Sequence, residues 1–389
     1  MRIPVIKKIA FLSNTSWSIY NFRLGLIRRL SAEGYQVIII CPVDQYTPKL
    51  EQEPCTFIPV QLSRHKINPF VDLRYFLQVF KILSRYRPDF VVSYTIKPNI
   101  YGQIAARLLK INRLAVVTGL GYLFINQTWK TQLVKILYRL SFKSAKRVWF
   151  LNKDDQALFL TNKIVQKAQV GYLPGEGVDI NYFAPRDRPS NKALCFTYAG
   201  RLIKEKGVPE FIKAAQLLKP WYPNIQFQVA GFIEDEAPGA IRLSDITKWE
   251  KAGIISFKGS RDDIRPVLAG SDCVVLPTYY REGVPRILLE AASMGIIIIG
   301  TNTPGCKDIV FEGQNGFLCQ PRNPEHLAST LLKVIHLSST ERQHFGQNGR
   351  EIVVANFREE KIIDRYLELF STVFGLPVSK RSATQIKID

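Results

Sequence analysis

The stretch "KKIAFLSNTSWSIYNFRLGLIRRLSAEGYQVIIIC", residues 7–41, passes from one apolar run to another through a segment of different period. KKIAFLS reads as a short strand, IYNFRLGLIRRLSAEG as an amphipathic helix closed by Gly34, and YQVIIIC as a second strand. Strands that are apolar throughout and joined by helices belong to a parallel sheet covered on both faces. The pattern recurs in FVVSY, the helix NIYGQIAARLLKI, RLAVVTG and RVWFLN. PRDRPSN, at 185–191, is polar and proline-containing, as a linker is. Beyond it come LCFTYAG, a helix over about 207–218, IQFQVAG, IISFKG, CVVLP, GIIIIG and GFLC, and after Pro324 only helices. The predicted fold class is α/β, two doubly wound Rossmann-like domains facing across a cleft. The first is expected over 1–185 and the second over 192–355, with a helix over 356–375 packing back toward the first. The closing PVSKRSATQIKID reads as a frayed tail.

At 389 residues the chain suits two domains of ordinary size. No apolar run approaches the roughly 18 to 20 residues of a membrane span, since IIII at 296–299 stops at Gly300. MRIPVIKKIAFLSNTS reads as a strand and not as a signal peptide, so a cytoplasmic location is expected. The six cysteines form no C-x-x-C pair, and none of the four histidines sits beside a nucleophile. Neither zinc chemistry nor Ser-His or Cys-His catalysis is expected, and no metal site is assigned. Charge is uneven: residues 1–190 carry 28 Lys and Arg against 11 Asp and Glu, net +17, while 191–389 carry 25 against 22, net +3. Such a field suits a polyanion, either nucleic acid or the anionic face of a membrane, or is a solvated basic surface. RLLKINRL and YRLSFKSAKRVWF mix basic and apolar residues and are the candidate membrane contacts.

Open parallel sheets bind ligands at the carboxyl ends of their strands. Three segments of the second half end a strand with suggestive residues: AGRLIKEKG, FKGSRDD and LPTYYREGVPR. Arg201 and Lys206 flank a turn entering a helix, a fork and a point charge suited to a diphosphate, or else two ordinary solvated cations. Glu282 precedes a helix and Glu290 lies within it, with seven residues between them. Gly283 permits close backbone approach, and Pro285 suits the first helical turn. Carboxylates accept hydrogen bonds from sugar hydroxyls, so two acids about one diphosphate-binding pair describe a nucleotide sugar. Glu282 also has a plain reading as a helix-capping acid, and Glu290, amid ILLEAASMG, needs a partner.

GRLIKEKG, REGVPRILLEAASMG and TPGCKDIVFEGQNGFL together resemble the retaining glycosyltransferases of family 4, which have the two-domain GT-B fold. FLSNTSWSIYNFRLGLI, SYTIKPNIYGQIAARL, VTGLGYLF, VWFLNKDD and LPGEGVDINYFAP extend the resemblance over most of the chain, and it is greatest to bacterial enzymes that extend polyprenyl-diphosphate-linked oligosaccharides. The resemblance implies that Glu290 holds ribose hydroxyls and Glu282 the donor sugar, while Arg201 and Lys206 stabilise the departing diphosphate. Gly283, Val284, Pro285 and Arg286 would line the donor, with the backbone N–H groups of this stretch, Pro285 having none, facing donor oxygens, and Gly200 and Gly259 complete the donor set. It further implies a UDP-linked donor, a lipid-linked saccharide acceptor, no metal, and work at the inner face of the plasma membrane.

Many relatives carry Gly-Gly after the first strand and a histidine after the fourth, where this chain reads NTSWSIYNF and SYTIKPN. Asn14, Ser16, Lys97 and Asn99 are then the polar groups expected to meet the acceptor. Two alternatives stand beside the transferase: a sugar-nucleotide 2-epimerase of the same fold, and a basic nucleic-acid-binding protein. No histidine pair suits the former and no recognition motif the latter.

Overall fold

The computed structural model describes residues 6–376 apart from 64–67, 122–123, 125–127, 144, 187–192, 236 and 238. The first sheet holds β1 (Lys8–Leu12), β2 (Gln36–Cys41), β3 (Thr56–Pro59), β4 (Phe90–Tyr94), β5 (Asn112–Val117), β6 (Val148–Phe150) and β7 (Val170–Tyr172). All neighbours run parallel in the order β3-β2-β1-β4-β5-β6-β7. The sequence reading passes over β3 and β7. Both are short edge strands only partly buried, β3 ends on Pro59, and they lack the continuous apolar run of the central strands.

The second sheet holds β8 (Cys195–Ala199), β9 (Gln226–Ala230), β10 (Ser256–Gly259), β11 (Cys273–Leu276), β12 (Ile297–Thr301) and β13 (Gly316–Cys319), in the parallel order β10-β9-β8-β11-β12-β13. The chain reverses direction across the sheet between β1 and β4 in the first domain and between β8 and β11 in the second. Those two switch points are where an open α/β sheet leaves a crevice.

Alternation along the strands sorts the first domain into two cores. Ile9, Phe11, Phe90, Val92 and Trp149 face the helix Ser16–Ala32 and the last helix, Glu359–Phe374. Ala10, Leu12, Val91, Ala115 and Val117 face the layer formed by the helices Pro69–Tyr86, Gln103–Leu108 and Trp129–Phe142. The helix expected over NIYGQIAARLLKI opens as a π-helical turn, Pro98–Gly102, before becoming α-helical.

The main chain crosses between domains twice, and the two crossings lie side by side. The Val178 amide donates to the Phe357 carbonyl at 2.9 Å and the Glu359 amide to the Val178 carbonyl at 2.9 Å. Val178 and Phe183 already pack in the core of the second domain, so the crossing starts ahead of the expected boundary at 185. The expected linker at 185–191 falls mostly, and the tail at 377–389 wholly, outside the described residues.

Candidate active site

The loops after β8 and β11 meet at the switch point of the second sheet, and backbone groups fix their spacing. The Glu205 carbonyl accepts from the Tyr279 amide at 2.9 Å, the Tyr280 amide at 3.0 Å and the Thr278 hydroxyl at 3.1 Å. Gly207, at φ +83°, follows directly, and a Cβ there would lie 2.1 Å from the Pro277 carbonyl oxygen, so only glycine lets the loops close. Lys206 thereby reaches Glu282, Nζ to Oε2 at 2.6 Å, with both side chains mostly buried. Arg201 pairs with Glu234 at 3.2 Å. The Tyr280 ring lies beneath both cations, 5.2 Å from the Arg201 guanidinium and 5.7 Å from the Lys206 ammonium.

Glu290 stands one turn into the helix Arg286–Ser293 and finds its partner on the same face, Arg286 Nε to Oε1 at 3.1 Å. Burial pushes its carboxyl up to about 7, and the Arg286 charge opposes only part of that shift. Of the buried polar atoms left without a partner among the described residues, two belong to the residues expected to hold the donor: Oε1 of Glu282 and one terminal nitrogen of Arg286. A polar ligand seated here would satisfy both. Val284 points into the second core, and Pro285 occupies the N-cap position of the helix. Gly200 and Gly259 hold neighbouring strand ends together, with the Gly200 amide on the Ala230 carbonyl and the Gly231 amide on the Gly259 carbonyl, each at 3.0 Å.

The first domain grips the 281–283 loop directly. The Gly283 amide donates to the Thr118 carbonyl at 3.1 Å, the Gly121 amide to the Arg281 carbonyl at 2.9 Å, and Asn152 Nδ2 to the Glu282 carbonyl at 2.8 Å. Arg281 pairs with the buried Asp155 at 2.8 Å. The Gly283 amide, expected to face donor oxygens, is therefore engaged with Thr118. Sequence reasoning missed Glu234, Tyr280 and this clasp. Asn152 caps the helix that begins in LNKDD by accepting from the Asp155 amide; its reach to Glu282 is a tertiary contact with no local signal.

The four residues expected to meet the acceptor all follow β1 or β4, at the switch point of the first sheet. Asn14 is half-buried. Ser16 is fully buried, bonded to the Pro42 carbonyl at 2.8 Å and to the Thr47 hydroxyl at 2.9 Å. Asn99 is also fully buried, between the Ser93 hydroxyl at 2.6 Å and the Val116 carbonyl at 2.8 Å. Lys97 is held by Asp72 at 2.6 Å, with both side chains largely buried. Ser16 thus ties the loop after β1 to the one after β2, Asn99 ties the segment after β4 to β4 and β5, and Lys97 ties its loop to the helix Pro69–Tyr86.

Residues 8–152 match the Glycosyl transferase 4-like family and residues 183–352 the Glycosyl transferases group 1 family. Over 383 residues the chain is 30% identical to N,N'-diacetylbacillosaminyl-diphospho-undecaprenol alpha-1,3-N-acetylgalactosaminyltransferase of Campylobacter jejuni, covering 94% of this chain and 99% of that one. The chain belongs to the group 1, family 4-like glycosyltransferases. The glycosyltransferase is also 26% identical to UDP-Gal:alpha-D-GlcNAc-diphosphoundecaprenol alpha-1,3-galactosyltransferase of Escherichia coli, over 87% of this chain and 91% of that one. Its fold matches Anabaena HepE, solved in complex with UDP, with a TM-score of 0.75, 20% identity, and 94% and 100% of the two chains covered. The architecture is GT-B, as the sequence predicts. The ion-paired cluster lies in the half matched by the group 1 family; of its clasp, Thr118, Gly121 and Asn152 lie in the half matched by the 4-like family, and Asp155 just beyond it.

Proposed function

We propose that the glycosyltransferase takes a UDP-linked hexose or N-acetylhexosamine and transfers it, with retention at the anomeric carbon, to a saccharide carried on a polyprenyl diphosphate. The observation that carries this reading is the convergence of Arg201, Lys206 and Glu282 at the β8/β11 switch point, with Glu290 on the adjoining helix. Two cations suit a diphosphate, and two carboxylates, one on each side, suit the hydroxyls of a sugar and a ribose.

In this reading the bond between the anomeric carbon and the β-phosphate oxygen breaks, and an acceptor hydroxyl forms the new bond on the same face. The acceptor proton passes to the departing diphosphate. Arg201 and Lys206 take the charge that develops on the leaving group, so neither a metal nor a protein base is assigned to the step. The names of the Campylobacter and Escherichia relatives support a lipid-linked acceptor, and with it a role in bacterial surface polysaccharide or glycan synthesis at the cytoplasmic face of the membrane. Among the described residues no helix is long and apolar enough to cross a membrane, so the association would be peripheral.

Calorimetry with UDP and GDP, set beside transfer from UDP-sugars to a polyprenyl-diphosphate-linked saccharide, tests the reading. Wild type binds UDP in preference to GDP, and Arg201→Ala or Lys206→Ala slows transfer by about a hundredfold or more, as the loss of one charge-stabilising donor does. Full turnover in Arg201→Ala/Lys206→Ala would remove both cations from the step.

A further inference from the structure

The helices Pro69–Tyr86, Gln103–Leu108 and Trp129–Phe142 cover one face of the first sheet, and their outer surface is apolar where a solvated surface should be polar. On the third helix Trp129, Leu133, Ile136 and Leu140 are all exposed. Their spacing of four, three and four residues puts them on one stripe, opposite the buried Val134, Tyr138 and Phe142. Phe70, Leu73 and Leu77 repeat the arrangement on the first helix, and Leu108 stands exposed on the short helix between them. Phe70 is 84% exposed and Trp129 70%, beyond what scattered surface apolars require.

The charge around these residues has one sign. Residues 90–153 contain eleven Lys and Arg and no Asp or Glu. On the helix Pro69–Tyr86 the one acid, Asp72, is turned inward onto Lys97. The order along the helices is also shared. Phe70, Leu73 and Leu77 occupy the first half of their helix, with the exposed Arg74 among them and the exposed Lys81 and Arg85 beyond; likewise Trp129, Leu133 and Ile136 lead the third helix, with the exposed Lys130 among them and Arg139, Leu140 and Lys143 beyond. A helix that links parallel strands begins at the carboxyl edge of the sheet, so both apolar ends lie on the side of the cleft.

We propose that the outer face of these three helices is a docking surface for an anionic bilayer, with Phe70 and Trp129 inserted at the cleft end and the cations of the far end among the head groups. The proposal rests on the lipid-linked acceptor reading for its purpose, but its physics is independent of that reading: buried apolar area and Coulomb attraction add at such an interface. The surface takes in part of both basic-apolar segments visible in the sequence: Arg107, Leu108 and Lys110 of RLLKINRL and Arg139, Leu140 and Lys143 of YRLSFKSAKRVWF are exposed on it, whereas the apolar residues of β6 in the latter are interior.

The test uses the full chain, because a fragment ending at 190 would leave Phe90, Tyr94 and Trp149 without the cover of the last helix. Sedimentation with vesicles of phosphatidylglycerol and phosphatidylcholine should pull down wild type at low salt, and vesicles of phosphatidylcholine alone should bind far less. Phe70→Ser/Trp129→Ser changes only exposed side chains and should weaken the partition by at least about tenfold. Transfer to an acceptor embedded in those vesicles should fall in parallel, while transfer to a water-soluble, short-chain analogue stays within about twofold. Wild type that transfers sugar to the soluble analogue yet stays in the supernatant overturns the docking surface and leaves the transferase reading standing. Wild type that sediments with the vesicles but transfers to neither acceptor supports the surface and sinks the lipid-linked reading. Equal partition of the double variant, or loss of single-stranded DNA binding in it with vesicle binding intact, also overturns the surface, the latter in favour of a nucleic-acid face.

Discussion

Glu290 is the acid whose charge depends on where the assay is run. Burial lifts its carboxyl to about 7 against Arg286, so near neutrality the side chain divides between a neutral and an ionised form. If its oxygens hold ribose hydroxyls, the ionised form is the better acceptor. Nucleotide affinity should therefore weaken as the pH falls through 7, by up to about tenfold per unit. Calorimetry with UDP between pH 8 and pH 5.5 reads the slope, and Glu290→Gln should weaken binding and flatten it. A level wild-type profile would take Glu290 out of the nucleotide site. Residue chemistry of this kind was partly legible from the sequence: an acid in ILLEAASMG required a partner, and Arg286 supplies it. Lys97 shows the opposite case. As a lone cation after β4 it looked available to a substrate, but its partner Asp72 lies 25 residues away on another helix, a pairing that no local pattern encodes.

Among elements, the turn after β5 and the loop after β11 meet closely across the domain boundary. Gly119, at φ +114°, has the Gly283 nitrogen 2.7 Å from where a Cβ would sit, so backbone meets backbone across the domain boundary. Gly119→Ala strains that position in both conformation and space, and the strain is relieved most easily by parting the domains. Turnover should fall by about tenfold to a hundredfold, as slight misplacement of reacting groups does, while UDP affinity in the second domain is preserved. Small-angle scattering should show a larger radius of gyration; an unchanged radius with full turnover would mean that the contact plays no part in closure. Elements were the most legible level. Central strands declare themselves by continuous apolar runs such as VIII and CVVL, whereas β3 and β7, with fewer apolar residues and an open edge, do not. The clasp itself was invisible, since VTGLG and REG lie about 160 residues apart and neither stretch carries a pattern that names the other.

For the whole molecule, the last helix decides how the parts hold together. It springs from the second domain yet buries Tyr366, Leu369 and Phe370 in the first, where Phe370 meets Phe90 edge-on at 5.2 Å and the Tyr366 hydroxyl bonds to that of Tyr94 at 3.0 Å. Phe370→Ala should destabilise the first domain by about 3 to 5 kcal/mol, read as a lower urea midpoint there with the second domain's transition in place. A shared, undiminished midpoint would mean that the helix only rests on its neighbour. The same helix carries a consequence for synthesis. The strands of the first sheet leave the ribosome early, but the helix of 16 residues that seals one of their two cores emerges only after the whole second domain. Until then Phe90, Tyr94 and Trp149 stand uncovered on the nascent chain, and a message cut short anywhere in the second domain yields a first domain that cannot close. Protein quality control would thus treat a copy that stops short of this helix as unfolded, so that only chains translated through it could present a finished sugar-transfer cleft.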